Sequence, residues 1–447
     1  MNSVLKTGVL AATIACMAAA CEDRAQYDPS QQAGSNPPMP GAHAFLSPPM
    51  QVPKFTGWRN GNTPKVAAGL KIEKIAADLV HPRQVYVLPN GDILVAESNS
   101  PNKEAVTTPK QLIAGLITER SGKKAKGANR ITLLRKRSDS SGQWDKYDFI
   151  DNLHSPFGMQ LIGDTLYVAD TDAIISFPYQ SGETHIAGPG TELTDLPDTI
   201  NHHWTKALLA SPDGKKLFVG VGSNSNVSEN GLEVEYRRAN VLEVDIATGG
   251  SRIYAAGIRN PTGLQWEPKT GKLWAVANER DEIGPDLVPD YLTSVREGAF
   301  YGWPYSYYGQ HVDRRAQPQR PDLVAKAIAP DFAIGSHVAP LGLIFYTGTN
   351  LPPQYRGGAF IGEHGSWDRS PLSGYMVAYV AFDNGRPVGA PKPVVTGFAS
   401  DDQKELYGAP VGVAQDRDGA LVIADDVGNT VWRVTSAGGA PQVAAGK

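Results

Sequence analysis

The chain has 447 residues, of which 41% are hydrophobic and 20% are charged, so it can build a packed core and is not disordered as a whole. Its net charge of −4 argues against a partner bound through a phosphate backbone, and we expect no nucleic-acid function. Both cysteines, Cys16 and Cys21, lie at the N-terminus, which excludes disulfides, thiolate metal sites and cysteine nucleophiles from the remainder of the chain.

The N-terminus has the pattern of an export signal. Lys6 precedes a mostly apolar run that ends in small residues, and this predicts a signal peptide over residues 1–20. Residues 18–21, Ala-Ala-Ala-Cys, resemble a bacterial lipoprotein cleavage site, at which Cys21 would carry a lipid; an ordinary cleaved signal with an incidental cysteine is the alternative. Either interpretation predicts an exported protein, which we expect to be periplasmic and attached to a membrane only through this lipid.

Residues 21–64 are rich in Pro, Gln, Ser and Gly, which predicts a tether or an irregular arm. Regular patterning begins near Leu70. From there a two-strand unit, with alternating apolar residues, a short turn and a second strand ending on an acid or amide, recurs six times, starting at Pro82, Pro156, His203, Pro261, Pro340 and Pro410. Further strand candidates between the copies give each unit more than two strands.

Antiparallel units that stack on their neighbours and close radially form a propeller. The sequence therefore predicts an all-β fold, a six-bladed β-propeller of four-stranded antiparallel blades over residues 65–436, with an N-terminal arm, loop insertions and a tail over 437–447. A twelve-strand sandwich is the structural alternative.

Two insertions interrupt the repeat. Residues 100–128 combine apolar residues at helical spacing with a basic stretch at 123–126, which is typical of a solvated loop. Residues 283–335 contain an aromatic cluster at 300–308. This cluster either packs a large loop or forms the wall of a pocket of the size of a sugar.

The repeat also predicts where polar side chains meet. The residues before each first strand and those ending each second strand should lie on one face of the propeller, near its axis. The first set comprises His81, Gln84, His154, His202, His203, Arg259, Asn260 and His337; the second comprises Glu97, Asp170, Asn224, Asn278 to Asp281, Glu363, His364, Asp425 and Asp426. Such a convergence favours a ligand site, although any one of these acids could simply cap a turn.

Three segments carry more specific chemistry. His202 and His203 precede Trp-Thr-Lys, and a neutral imidazole suits a general base. Arg259 could bind a carboxylate or a developing oxyanion. Residues 278–286 are rich in carboxylates and carbonyls that suit a hard cation such as calcium. Phosphate-binding glycine loops, hydrolase elbows, zinc-protease helices and a nucleotide-binding βαβ pattern do not occur in the sequence.

At these segments the sequence resembles the soluble pyrroloquinoline quinone (PQQ)-dependent sugar dehydrogenases, in particular the L-sorbosone and aldose or pyranose dehydrogenases. The resemblance covers roughly residues 65–436 and rests on LPNGDILVAES, SPDGKKLFVGVGSNSN, GIRNPTGLQWEP, NERDEIGPDL, FIGEHGSWDRSPLSGY and ALVIADDVGNTVWRV. It implies a periplasmic oxidoreductase that holds calcium and PQQ on the propeller face, oxidises a small sugar and passes electrons to an unknown acceptor.

The resemblance also implies residue roles. His203 would take the proton from the sugar hydroxyl, with Arg259 beside it. Contacts to the cofactor are implied for Gln84, Asn224, Asn260, His364 and Arg369, and calcium would be held at Arg280 and Asp281 through backbone carbonyls, with Asp286 nearby. Two positions depart from the family pattern: Ser223 stands where an acid orients the catalytic histidine, and Ala409 stands where an arginine precedes Pro410.

Two other functions stay open at this point. A calcium-dependent hydrolase of the lactonase type, also six-bladed, would need three or four carboxylate or amide ligands deep in the axis and would not need Arg259. A non-catalytic binding propeller would instead expose scattered apolar residues.

Overall fold

A computed structural model describes residues 24–43, 51–59, 61–101, 120, 127–139, 141–199 and 202–438. The predicted signal segment with Cys21, most of the 100–128 insertion and the end of the predicted tail lie outside the described residues. Within them, no helix is long and apolar enough to cross a membrane.

Six four-stranded antiparallel sheets form six blades around a central axis, which confirms the predicted propeller. Blade 1 contains Pro82–Val87, Ile93–Glu97, Arg130–Lys136 and Trp144–Ile150. Blade 2 contains Gly158–Ile162, Thr165–Ala169, Ala173–Pro178 and Thr191–Asp195. Blade 3 contains Lys206–Ala210, Lys216–Val221, Asn240–Asp245 and Ser251–Ala256.

The second half of the ring has the same arrangement, with two short additions at blade edges. Blade 4 contains Asn260–Trp266, Leu273–Asn278, Pro289–Ser294 and Phe332–Ser336, and Ala33–Gly34 pairs with its outer edge. Blade 5 contains Pro340–Phe345, Ala359–Glu363, Met376–Asp383 and Arg386–Thr396, with Lys65–Val66 at its edge. Blade 6 contains Pro410–Gln415, Leu421–Asp425, Thr430–Ser436 and, from the start of the chain, Leu70–Ala76.

The ring is closed by pairing between the two ends of the propeller. Leu70–Ala76 runs antiparallel to Thr430–Ser436, with Leu70 opposite Ser436. The outer strand of the last blade therefore precedes the first sequence repeat, and the six copies alone did not reveal this strand. Closure leaves blade 6 with a complete sheet and removes an unpaired edge from the ring.

Each second strand is buried on both faces because each blade packs between two others. In Ile93–Glu97, Leu94 and Ala96 join an apolar cluster shared with blade 2, whereas Ile93 and Val95 join a cluster shared with blade 6. This is the two-residue alternation of a strand, with both faces apolar. Apolar clusters fill every junction between adjacent blades in the same way.

Few elements of the described part of the chain lie outside the blades. They are the 3₁₀-helices Pro29–Gln32, Glu233–Glu235 and Pro353–Tyr355, the α-helix Pro321–Val324, the paired strands Lys54–Phe55 and Glu405–Leu406, and the hairpin Ser306–Tyr307 with His311–Val312.

The described part of the N-terminal arm packs on the propeller. The backbone N–H of Gln26 donates to Asp286 Oδ2 at 2.6 Å, and Gln32 Nε2 donates to the Asp286 carbonyl at 2.6 Å. Trp58 donates its indole N–H to Asp425 at 2.6 Å. Of the two predicted alternatives, tether or irregular arm, these contacts favour the arm.

Candidate active site

The entrances and exits of the blades meet on one face of the propeller. Pro82 pairs with Glu97, Asn260 with Asn278, and Pro340 with Glu363, so the end of each second strand lies beside the start of the first. The antiparallel pairing thus produces the convergence of polar side chains that the repeat predicts.

Several acids on this face accept hydrogen bonds from backbone N–H groups. Glu97 accepts from the N–H of Val80, Asp170 accepts from the N–H of His154 at 2.8 Å, and Asp425 accepts from the N–H of Ala409 at 2.7 Å. Each acid therefore fixes the turn that leads into an inner strand. These three acids therefore cap turns, which was the predicted alternative to a role in a ligand site.

A polar cleft of about 180 Å³ opens on the blade 3, 4 and 5 side of this face. His203, Arg259 and Asp281 all line it, so the three sequence segments with the most specific chemistry do come together. The remaining lining residues include His202, Asn260, Glu279, His337, Trp367 and Asp368.

The imidazole of His203 is held by Ser223. Its Nδ1 lies 2.8 Å from the Ser223 carbonyl oxygen and 3.0 Å from Ser223 Oγ. Because a carbonyl only accepts, Nδ1 carries the hydrogen and Nε2 keeps its lone pair. Burial, followed by the positive charge of Arg259, holds the pKa of His203 well below its usual value, so the ring is neutral near pH 7.

Ser223 thus replaces the acid that the family pattern places there. Its hydroxyl donates to the Ser225 carbonyl at 2.6 Å, which leaves an Oγ lone pair for His203. Ser225 Oγ donates to Glu235 Oε1 at 2.8 Å, and the N–H of Asn224 donates to Glu235 Oε2 at 2.7 Å. A buried carboxylate therefore anchors the loop that orients the base, and sequence reasoning did not identify Glu235.

Asn226 joins Arg259 to the loop at Asp281. Its Oδ1 accepts from Arg259 Nη2 at 3.1 Å and from the N–H of Asp281 at 3.0 Å, and its Nδ2 donates to the Asp281 carbonyl at 3.0 Å. Arg259 Nη2 also lies 3.1 Å from Asp281 Oδ2. Asn226 lies within the motif SPDGKKLFVGVGSNSN, but its spacing alone gave no sign of this role.

Asn260 contributes an unpaired acceptor. Its Oδ1 is buried without a hydrogen-bond partner. It lies so close to Gly222 that a Cβ there would come within 2.4 Å of both Asn260 Oδ1 and His203 Cβ. Glycine at 222 therefore permits the amide and the imidazole to share the floor of the cleft.

The opposite wall is acidic apart from one histidine. Burial opposes charge on His337, but the carboxylates of Asp368 and Asp281 raise its pKa to about 10. Burial raises the pKa of Asp290 to about 7, although the backbone N–H groups of Glu279 and Ala339 donate to it at 2.7 and 2.8 Å. His337 belongs to the predicted convergent set but not to the residues assigned a role from sequence, and Asp368 belongs to neither.

Four residues implied as cofactor contacts lie outside the lining of this cleft. Gln84 lines the central channel instead, and Asn224 Nδ2 donates to the Thr199 carbonyl at 2.9 Å. His364 Nε2 lies 2.8 Å from Asp426, which also binds His81. Arg369 is bound to Asp286 and to the Tyr27 carbonyl of the arm. These four side chains are thus engaged elsewhere, and Asn260 is the predicted contact that faces the cleft.

The side chains of the three predicted calcium residues point in different directions, which leaves the predicted role of the backbone carbonyls of Arg280 and Asp281 a prediction. Arg280 is fully buried, with its guanidinium 3.3 Å from both Glu279 and Asp313 and over the Tyr307 ring. Asp286 faces the N-terminal arm. Of the three, Asp281 reaches the cleft, because the loop turns away after it.

The aromatic cluster at 300–308 packs the large loop. Tyr301, Trp303 and Tyr307 are buried, and Trp303 donates to the Asn226 carbonyl at 2.9 Å. None of these rings lines the cleft, so the alternative of a sugar-binding wall is wrong for this cluster. The aromatic ring on the wall is that of Trp367, which sequence reasoning did not single out.

The described residues that line the central channel include no ring of acids. Among the described residues its lining is apolar apart from a few residues such as Gln84, Gln160, Gln265 and Gln415. A lactonase-type hydrolase needs carboxylate or amide ligands deep in the axis, and the described lining supplies four glutamine amides but no carboxylate. The channel lining therefore does not decide against that alternative.

Comparisons with known proteins identify the family of the chain. The family model described as TrAA12-like matches residues 64–289, and that described as glucose/sorbosone dehydrogenase matches residues 193–431. An uncharacterized protein of Borreliella burgdorferi is 30% identical over 299 residues, covering 64% of this chain and 77% of that protein. A pyrroloquinoline quinone-dependent sugar dehydrogenase of Hypocrea jecorina is 23% identical over 315 residues, covering 59% of this chain and 70% of the relative.

Among solved structures, the holo form of the pyranose dehydrogenase PQQ domain from Coprinopsis cinerea superimposes with a TM-score of 0.67 at 18% identity. The superposition covers 86% of this chain and 100% of that one, and it shows a shared fold. Each family match covers about half of this chain, and the second spans the cleft residues from His203 to Asp368. The chain belongs to the glucose/sorbosone dehydrogenase family.

Proposed function

We propose that the protein is a PQQ-dependent dehydrogenase that oxidises an aldose, sorbosone or a related sugar, with His203 as the general base. The observation that carries this proposal is the position of His203, whose Nδ1 lies 2.8 Å from the Ser223 carbonyl oxygen, in one cleft with Arg259 and Asn260. This contact leaves Nε2 as the nitrogen that can act as the base. The family membership and the activity for which the Hypocrea jecorina relative is named support the same chemistry.

The residues on the base side of the cleft fit the quinone. Arg259 supplies a fixed cation for a carboxylate or a quinone oxygen, and Asn260 has an orphaned amide oxygen that a ligand can satisfy. When bound, PQQ supplies the oxidant that accepts a hydride from the sugar carbon.

Proton transfer, stabilisation of the developing charge and binding of the sugar ring fall to different residues of the cleft. His203 Nε2 takes the proton of the hydroxyl that is oxidised, and the Ser223 carbonyl stabilises the resulting imidazolium. Arg259 faces the charge that develops on oxygen and is itself held by Asn226 and Asp281. Trp367 offers an aromatic face to the C–H face of a sugar ring.

The backbone carbonyls of Asp281 and Asp286 are already engaged by protein donors, which disfavours a calcium ion on them. The Asp281 carbonyl already accepts from Asn226 Nδ2 at 3.0 Å and from Arg315 Nη1 at 3.0 Å, and the Asp286 carbonyl accepts from Gln32.

We propose further that the protein is exported and anchored through a lipid on Cys21, on the basis of the N-terminal sequence pattern alone. Mass spectrometry of the mature N-terminus and fractionation of a Cys21→Ser variant test this. A wild-type N-terminus without acyl chains contradicts the anchor.

The function is tested by reconstituting the purified protein with PQQ and assaying a panel of aldoses with an artificial electron acceptor. We expect sugar-dependent reduction of the acceptor that requires added PQQ. A matched His154→Ala variant, which alters a histidine of the same face that does not line the cleft, should keep the activity. Absence of reduction across the panel contradicts the proposal.

A further inference from the structure

Three side chains on the acidic wall of the cleft form a compact ligand set. One atom from each of Asp281, His337 and Asp368 lies within 4.8 Å of the others. They come from three separate segments: the loop after Leu273–Asn278, the entrance to Pro340–Phe345, and the loop after Ala359–Glu363. The architecture of blades 4 and 5 therefore assembles the cluster.

The ring of His337 is oriented from behind. Its Nε2 lies 3.1 Å from the Gly284 carbonyl, so Nε2 carries a hydrogen and Nδ1 faces the two carboxylates. This is the arrangement of a metal-bound histidine, which donates its other N–H to a carbonyl or carboxylate. A bare Nδ1 lone pair opposite two carboxylate oxygens would be repelled, so a cation or a proton belongs between them.

The distances from His337 Nδ1 to the two carboxylate oxygens are too long for direct hydrogen bonds and match the spacing of ligands around one ion. Nδ1 lies 3.6 Å from Asp281 Oδ1 and 3.6 Å from Asp368 Oδ1. Elsewhere in this chain, His–Asp pairs close directly, at 2.6 Å for His81 with Asp426 and 2.7 Å for His154 with Asp172. Two ligands about 2.1 Å from a common ion at a tetrahedral angle lie about 3.4 Å apart.

The two carboxylates leave the required atoms available. Asp368 Oδ1 is buried without a hydrogen-bond partner, and its side chain is 3% exposed. Asp281 gives Oδ2 to Arg259 and keeps Oδ1 for the cluster. The positive group facing this unpaired, buried carboxylate oxygen is the His337 proton when no ion is bound, and a bound ion would displace that proton.

We propose that Asp281, His337 and Asp368 bind one divalent transition-metal ion, such as Mn²⁺, Fe²⁺ or Zn²⁺, with open positions toward the cleft. One imidazole nitrogen and two carboxylates suit these ions, whereas Ca²⁺ takes six to eight oxygen ligands. The ion lies in the cleft shared by His203 and Arg259, where a sugar oxygen could complete its coordination. The site needs no quinone and does not rest on the proposed oxidation.

The test is metal binding by the full chain, stripped of metal and without PQQ. Mn²⁺ is titrated and the free ion is followed by electron paramagnetic resonance, with Co²⁺ and Ca²⁺ in parallel titrations. We expect one equivalent of Mn²⁺ to bind more tightly than Ca²⁺, and Asp368→Asn to weaken binding at least about tenfold. Asp172→Asn is the matched control because it alters a His–Asp pair outside the cleft, and it should bind as the wild type does.

Thermal unfolding checks that the variants are folded, and His337→Gln replaces Asp368→Asn if the latter is not. The proposal is overturned if the wild type shows no saturable Mn²⁺ or Co²⁺ binding. It is equally overturned if the folded variant binds as tightly as the wild type, or if Ca²⁺ binds more tightly than Mn²⁺. Metal binding without sugar oxidation would contradict the proposed function and support the metal site. Sugar oxidation without metal binding would support the proposed function and contradict the metal site.

Discussion

The carbonyl oxygen of Ser223 lies 2.8 Å from Nδ1 of His203 and fixes the tautomer of the base without a neighbouring carboxylate. A carbonyl stabilises an imidazolium less than an ionised acid does, which leaves burial and Arg259 to depress the pKa of His203. The base is therefore unprotonated, and competent, at a pH below the usual titration of histidine.

Ser223→Asp should raise the pKa of His203, because a carboxylate beside Nδ1 favours the charged ring. We expect the acid limb of the pH profile of kcat/KM to move up by about one to two pH units. Ser223→Ala is the control, since it keeps the carbonyl and should leave the limb close to that of the wild type. If the acid limb of the pH profile of kcat/KM does not move in folded Ser223→Asp, the result contradicts the role assigned to Ser223.

Asn226→Ala should damage both stability and catalysis. It leaves the Asp281 carbonyl without one donor and the Arg259 guanidinium without one acceptor, which costs about 1–3 kcal/mol of unfolding free energy. Chemical denaturation and kcat/KM measure the two effects. Asn90→Ala, in an exposed turn of blade 1, is the matched control and should change neither kcat nor KM; equal losses in both variants would argue against the bridge.

Trp367→Ala should raise KM for the sugar more than it lowers kcat, because the ring contributes a binding surface and no proton transfer. Steady-state kinetics over a sugar concentration series separates the two constants. Trp144→Ala, on the outer strand of blade 1, should leave KM unchanged. An unchanged KM in Trp367→Ala would remove this ring from the substrate site.

Lys206 should make stability depend on pH. Burial, followed by the positive charge of Arg238, lowers the pKa of Lys206 from 10.5 to about 7. Between these values the unfolded chain binds a proton that the native chain does not, so this residue makes stability rise with pH. We expect Lys206→Met to stabilise the protein near pH 7 and to lose much of that advantage near pH 10.

Denaturant unfolding at both pH values measures this difference, and the exposed Lys71→Met is the control. If the difference between Lys206→Met and the wild type is the same at both pH values, the shifted titration is not present in the folded protein.

The fold could be predicted from the sequence because every copy of the repeat contains the residues that form a pair of antiparallel strands. Alternating apolar residues, a Gly or Asp turn and a terminal acid occur at Pro82 and Pro410 alike, and the strand pairing follows from them. The closing strand Leu70–Ala76 was not predicted in that role, because its partner Thr430–Ser436 lies at the other end of the chain. A local pattern contains no information on such a pairing.

The site was predictable in part for a related reason. His203 and Arg259 stand at blade entrances, whose position the repeat fixes. Arg369 and Asp286 lie in long loops, and their direction depends on packing against the N-terminal arm, where Arg369 contacts Tyr27. The same loops bring Asp368 to His337, a contact between distant segments that residue spacing does not reveal.

The most direct measurement is the single-turnover reduction of bound PQQ by sugar, followed by absorbance in the wild type and in His203→Gln. The account predicts that both proteins bind the quinone and that reduction is about 10²–10⁴-fold slower in the variant. Reduction by the variant within about tenfold of the wild-type rate, or no reduction in the wild type with any sugar, would contradict it.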